Sequence, residues 1–349
     1  MRRNKFIVAG ALLGVLLTTG VAHGQDVQVL PVRGNVYMIV AGSSNIAVSV
    51  GADGALLVDS GSAAASDKVL AAVKQLLTAV GASTSPVRSC VGCAGLVSPL
   101  LHEITASPAP PKPIRYVINT NALPDHTGGN TKIAEAGKTI TGGDIVSEIL
   151  GSDATDVATV VAHENVLIRL SEPDSGVAAN GLPAEVYSHD IYKLSHFFNG
   201  EGVQAIYQPS AITDGDSIVY FRYSDVVVAG DIFVTTSYPM IDLKKGGSIQ
   251  GVIDGVNKIL DLSVTETRAQ GGTMIIPGHG RLCDSSDVAY YRDMVTIIRD
   301  RVQAMIGKGM TLAQVKAARP SLDYDTRYAT SSWTADMFIE AVYSSLKSQ

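Results

Sequence analysis

Four times along this 349-residue chain, a loop that follows an apparent strand carries residues of metal-ligand type. These are Asp125 and His126 in NTNALPDHTGG, Asp214 and Asp216 in AITDGD, Asp231 in VVVAGDIF, and His279 in MIIPGHG. Taken singly, each has an ordinary explanation. Asp125 could cap the next helix, Asp231 could shape a turn, and Asp or His beside Gly is common in loops. Many strands with interspersed and terminal helices make one large α/β unit.

Composition narrows the function classes. A hydrophobic content of 46% fills a sizeable core and excludes a disordered, collagen-like or disulfide-built chain. With 27 basic against 33 acidic residues, the net charge of −6 excludes a general nucleic-acid binder, which needs a basic face. Arg2, Arg3 and Lys5 precede an uncharged run, and Ala22-His23-Gly24 places small residues before Gln25. Residues 1–24 therefore read as a secretory signal peptide, which predicts an exported protein, periplasmic or extracellular. The run is short and broken by glycines, so no stable membrane span is expected after cleavage.

Between Val27 and Ser60, NVYMIVA, NIAVSV and ALLVDS are strand-like, with GADG as a turn. Val69, Val73, Leu76, Leu77 and Val80 recur at helical spacing, and Gly81 is the expected stop. Residues 82–114 read as an inserted, Pro- and Ser-rich surface loop. That loop holds Cys90 and Cys93, a candidate disulfide staple in an oxidising compartment, and it could contact a protein partner. Further strands are expected in RYVINTN and at 159–163, 203–208, 217–222, 226–230 and 273–277. Val288 to Ile306 mark one face of a long helix, Thr311 and Gln314 have capping-box spacing, and a last helix covers 334–346. This predicts one domain over 25–310, with 311–349 as a helical extension packed on it.

In succession, NVYMIV…NIAVSVGADGALLVDSG, INT…DHTGGN, AHENV, TDGDSIVYF, AGDIF, YPMIDL with GGSI, and IIPGHG resemble the metallo-β-lactamase superfamily. The likeness is greatest to its exported hydrolases. It implies an αββα sandwich, two mixed β-sheets face to face with helices outside and a metal site at one edge. Family members usually carry HxHxDH after INT, whereas this chain reads Asn121-Ala122-Leu123-Pro124-Asp125-His126. Ile212 stands where the third histidine of the first metal site precedes TDGD. Leu and Ile have no lone pair to offer, so the usual two-metal centre is not expected.

The resemblance places the second metal site at Asp125, His126, Asp231 and His279, all present. Two imidazoles and two carboxylates could close around one divalent ion, Zn2+ first, with Fe2+ or Mn2+ as alternatives. The implied activity is hydrolysis of a small-molecule ester, lactone or amide by metal-activated water. Asp125 would orient the water and Asn121 could donate a hydrogen bond to a substrate oxygen. A non-catalytic descendant, using the same fold for binding or stability, is the competing reading. A dioxygenase reading is set aside, because the family's dioxygenases use the first-site histidines. His163, His189 and His196 are expected to be structural or surface residues.

Overall fold

The computed structural model describes residues 27–83, 113–138, 157–173, 175–194, 198–263 and 271–347. Strands β1 (Val27–Arg33), β2 (Val36–Ala41), β3 (Ser44–Gly51) and β4 (Gly54–Val58) form an antiparallel meander. Helix α1 (Ser66–Ser83) then precedes β5 (Ile114–Ile118), which pairs parallel to β4. Parallel pairing cannot be made by a tight hairpin, so the chain must cross over between the two strands. Next come α2 (Pro124–Thr127), α3 (Asn130–Glu135), β6 (Thr159–His163), α4 (Glu164–Leu170) and β7 (Glu185–Tyr187). Together, β1 to β7 make a seven-stranded mixed sheet in sequence order.

A five-stranded mixed sheet faces it. It comprises β8 (Ile191–Lys193), β9 (Val203–Gln208), β10 (Asp216–Phe221), β11 (Val226–Val228) and β12 (Met274–Ile276), in the order β12-β11-β10-β9-β8. Helix α5 (Ile249–Leu262) lies between β11 and β12 in sequence. Helices α6 (Ser285–Gly307), α7 (Leu312–Ala318), α8 (Leu322–Tyr328) and α9 (Ala335–Lys347) complete the chain. The expected sandwich of two mixed sheets with flanking helices is the observed fold.

The strand periodicity explains the layers, because successive side chains point to opposite faces. Met38, Ala47, Leu56, Val58 and Ile118 meet Val219, Phe221, Val228 and Ile276 between the sheets. The alternate residues Ile39, Val48, Leu57 and Val117 pack outward against Val69 and Val73 of α1. On the far side, Ile218, Val227 and Ile275 pack against Val252, Val295, Val315 and Phe338. Strands buried on both faces read as continuous apolar runs, as VVV and MII do here.

Several local expectations change. Helix α1 runs through Gly81 to Ser83. A glycine costs a helix only about 1 kcal/mol. The strand expected at 226–230 stops at Val228, because Gly230, at φ +53°, bends into a 3-10 turn. Helix α5 was not foreseen, nor were α8 or the three-residue strands β7 and β8. The Cys90–Cys93 pair and the signal segment lie outside the described residues, as does nearly all of the insertion. No helix among the described residues is long and apolar enough to cross a membrane.

Candidate metal centre

Both sheets deliver residues to one edge of the sandwich. From the first sheet, β4 runs out into Asp59, held at φ +64°. Its buried carboxylate accepts hydrogen bonds from the Thr120 N–H at 2.8 Å and the Thr120 hydroxyl at 2.7 Å. The loop after β5 turns sharply because Asn121 Oδ1 accepts the Leu123 N–H at 2.8 Å, an Asx-type turn. Pro124 then opens the short helix α2, which carries Asp125 and His126 in its single turn. Gly129 is required behind it, since a Cβ there would lie 2.4 Å from the Ser60 carbonyl oxygen.

From the second sheet, β11 delivers Asp231 in the 3-10 turn Gly230–Ile232, and β12 delivers His279. The backbones of these two loops touch. A Cβ on Gly278 would lie 2.3 Å from Asp231 Oδ1 and 2.8 Å from the Gly230 carbonyl, so only glycine fits. Asn45, at the start of β3, straps the His279 loop to the first sheet. Its Nδ2 donates to the Pro277 and Gly280 carbonyls at 2.9 and 3.0 Å, and its backbone N–H donates to Gly278 at 2.9 Å.

These loops assemble a compact cluster. His126, fully buried, has Nδ1 2.8 Å from Asp59 and Nε2 3.0 Å from Asp231 Oδ1. His279 has Nδ1 2.8 Å from the Ser43 carbonyl oxygen, and Nε2 3.2 Å from both Asp125 and Asp231. One ligand atom from each of Asp125, His126 and His279 falls within 4.8 Å of the others. Each imidazole is anchored through Nδ1, where a carboxylate or carbonyl acceptor fixes the proton. Each therefore turns Nε2 toward Asp231. Hydrogen bonding of the outer nitrogen is how metal-ligating histidines are usually oriented. The donor set suits a divalent ion, because two neutral imidazoles and two carboxylates balance its charge.

The imidazoles and carboxylates of the cluster shift one another's protonation. Burial disfavours charge on His126, yet Asp231 and Asp59 outweigh it and hold its pKa well above the usual imidazole value. Burial opposes charge on His279 too, but hydrogen bonds to Asp125 and Asp231 raise it to about 10. Asp231 and Asp125 resist burial in the opposite sense. The two histidines keep both carboxyls ionised, below their ordinary range. A cation that binds through the two imidazoles must displace their protons, so its uptake at pH 7.5 will release protons, one of them from His279. Calorimetry in two buffers of different ionisation enthalpy measures this, and affinity will rise with pH up to about 10.

Other residues singled out in the sequence lie apart. Asn121 is fully buried, and its Nδ2 has no hydrogen-bond partner. Leu123 is half-buried at the N-cap of α2, and Ile212 packs in the apolar layer with Ile241 and Ile249. Asp214 pairs with Arg169 at 2.8 Å. Asp216 is buried, stapling the Thr213 turn, and burial pushes its carboxyl up to about 7. His163 caps α4 and stacks on Tyr207 at 3.7 Å. His189 is exposed, while His102 and His196 lie outside the described residues. Sequence reasoning missed Asp59, although ALLVDSG placed an acid at a strand end.

An αββα sandwich whose edge brings Asp125, His126 and His279 close enough together to hold a metal ion, with Asp231 beside both histidines, is a hydrolase-like fold. The chain belongs to the metallo-β-lactamase superfamily, whose profile it matches over residues 32–279. Among solved structures, it is similar to a metallo-β-lactamase from Pontibacter korlensis. The two share 13% identity at a TM-score of 0.50, covering 78% of this chain and 99% of that one. It is also similar to the inverting sec-alkylsulfatase Pisa1 from Pseudomonas sp., with 14% identity, a TM-score of 0.56 and 91% of this chain covered. This chain covers half of the alkylsulfatase. No match was found among curated protein sequences.

Proposed function

We propose that this chain is an exported hydrolase that holds one divalent ion, zinc first, and cleaves a small ester, lactone or amide. The observation that carries this reading is the orientation of the imidazoles. His126 and His279 are both pinned at Nδ1 and aim Nε2 at a point between Asp125 and Asp231. A divalent ion bound there polarises a carbonyl and makes water more acidic. Asp125 is partly exposed and ionised, so it can accept a hydrogen bond from the attacking water and orient it. Asn121 is fully buried, so its part is to close the turn that presents Asp125 and His126 rather than to meet the substrate.

A second reading, a binding protein without catalysis, is favoured by Ile212. This side chain sits in the apolar layer with Ile241 and Ile249, hydrocarbon neighbours that offer no ligand atom. One experiment separates the two. The purified protein, with its metal per chain measured, is assayed on esters, lactones and β-lactams beside Asp125→Ala and His279→Ala. Metal-dependent turnover lost in both variants supports the hydrolase; a metal-loaded chain inert on the whole panel supports the binding protein.

A further inference from the structure

A cleft of about 630 Å3 opens beside Asp125, on the side of α2 facing α4. Its size is within the range that small-molecule sites occupy. Three hydroxyl and four charged side chains interrupt an apolar lining given by Ala63, Ala64, Ala122, Pro124, Leu170 and Val177. Three of these belong to a separate apolar cluster. Leu170 is packed with Ala162 and Val166, and Ala122 and Val177 lie half-buried against them. The cleft is thus the open face of an apolar cluster that the main core does not cover.

The charges around it are matched. Arg169 lines the cleft, but it is held by Asp214 at 2.8 Å and has Glu172 at 3.6 Å. Lys245 also lines it, with Asp242 at 3.9 Å. Glu172 and Asp125 are themselves part of the lining. An anionic group entering here would meet cations already paired and two carboxylates, and would give up its hydration for little in return. A hydrocarbon chain loses nothing and gains contact.

Resting on the hydrolase reading, we propose that this cleft receives the neutral, aliphatic portion of the substrate. The substrate class is an uncharged acyl ester, lactone or amide with a chain of several carbons. A substrate whose body carries a carboxylate is disfavoured. Ala63, Ala64, Leu170 and Val177 line the cleft, so chain length and branching are read there, and Asp125, in the same lining, marks the end for the reacting carbonyl.

The test is binding to the full chain supplied with zinc, followed by ligand-observed magnetic resonance. N-hexylacetamide is compared with the same amide ending in a carboxylate, in the unaltered protein and in Ala64→Trp and Val177→Trp. Ala64 is exposed, so its variant keeps the fold even where Val177→Trp does not. Each methylene buried is worth about fourfold in affinity when fully covered. The carboxylate-ended amide has the same methylenes but brings a charge beside Glu172 and Asp125, so the neutral amide will bind at least about tenfold more tightly. Either tryptophan, by filling the space the chain needs, will weaken that binding by a similar factor. Equal affinity for the two amides, or binding that ignores Ala64→Trp, overturns the proposal. A chain that binds the neutral amide in this cleft yet hydrolyses no ester contradicts the hydrolase reading alone.

Discussion

Replacing Gly278 with Ala will empty the metal centre and cost about 3 kcal/mol or more of stability. The added Cβ would sit 2.3 Å from Asp231 Oδ1 and 2.8 Å from the Gly230 carbonyl carbon and oxygen. Most overpacked sites relieve a clash by moving a side chain, at a cost of about 1–3 kcal/mol. Here much of the obstruction is backbone, and Gly278 N–H is bonded to the Gly230 and Phe233 carbonyls at 2.8 and 3.2 Å. The two loops must part, which carries Asp231 away from His279. Gly307 supplies the control. It lies at the end of α6 with nothing within 4 Å of a Cβ, so Gly307→Ala will leave stability within about 1 kcal/mol and metal content unchanged. Urea unfolding and metal analysis of the two variants measure both effects.

His126→Ala will be as damaging for an electrostatic reason. His126 stands between Asp59 and Asp231, both buried, and satisfies a carboxylate with each ring nitrogen. Removing one member of a buried charge pair leaves the other uncompensated, at a cost of about 3–5 kcal/mol. Adding Asp231→Asn removes one orphaned charge, so the double variant will recover part of the loss. The pH dependence has a definite sign in metal-free protein. Histidines whose folded pKa values are raised stabilise fully below the unfolded value of about 6.5. That stability is lost as pH rises through the folded values, which for His279 means toward about 10. Urea midpoints of metal-free protein, taken from pH 6 to 10, will fall along this course. His126→Ala will show a shallower decline, and an equal decline would contradict the account.

The candidate residues stood out as ligand types in loops with glycine after apolar strands, but Asp214 and Asp216 stood there too. Only the succession of motifs resembling the superfamily separated Asp125, His126, Asp231 and His279 from them. What brings them together was not legible. Asp59 acts through its place beside Thr120 and His126, a consequence of β4 lying next to β5, and no local pattern announces that neighbour. Helix α5 was hidden by Gly251 and Gly255, which lower helix propensity. Their reason is tertiary, since a Cβ at Gly251 would lie 1.9 Å from the Ser210 carbonyl oxygen. Ile249, Val252, Ile253, Val256 and Ile259 nevertheless carry the helical spacing that could have revealed it. Strands of three residues, such as β7 and β8, are too short for any alternation to register.

One pairing of measurements bears most directly on the proposed single-ion centre: metal per chain after equilibration with zinc and dialysis, together with X-ray absorption at the bound ion. One ion per chain, surrounded by two imidazole nitrogens and carboxylate oxygens and lost in His279→Ala, is the result expected of Asp125, His126, Asp231 and His279. Two ions per chain, or none retained, would contradict it.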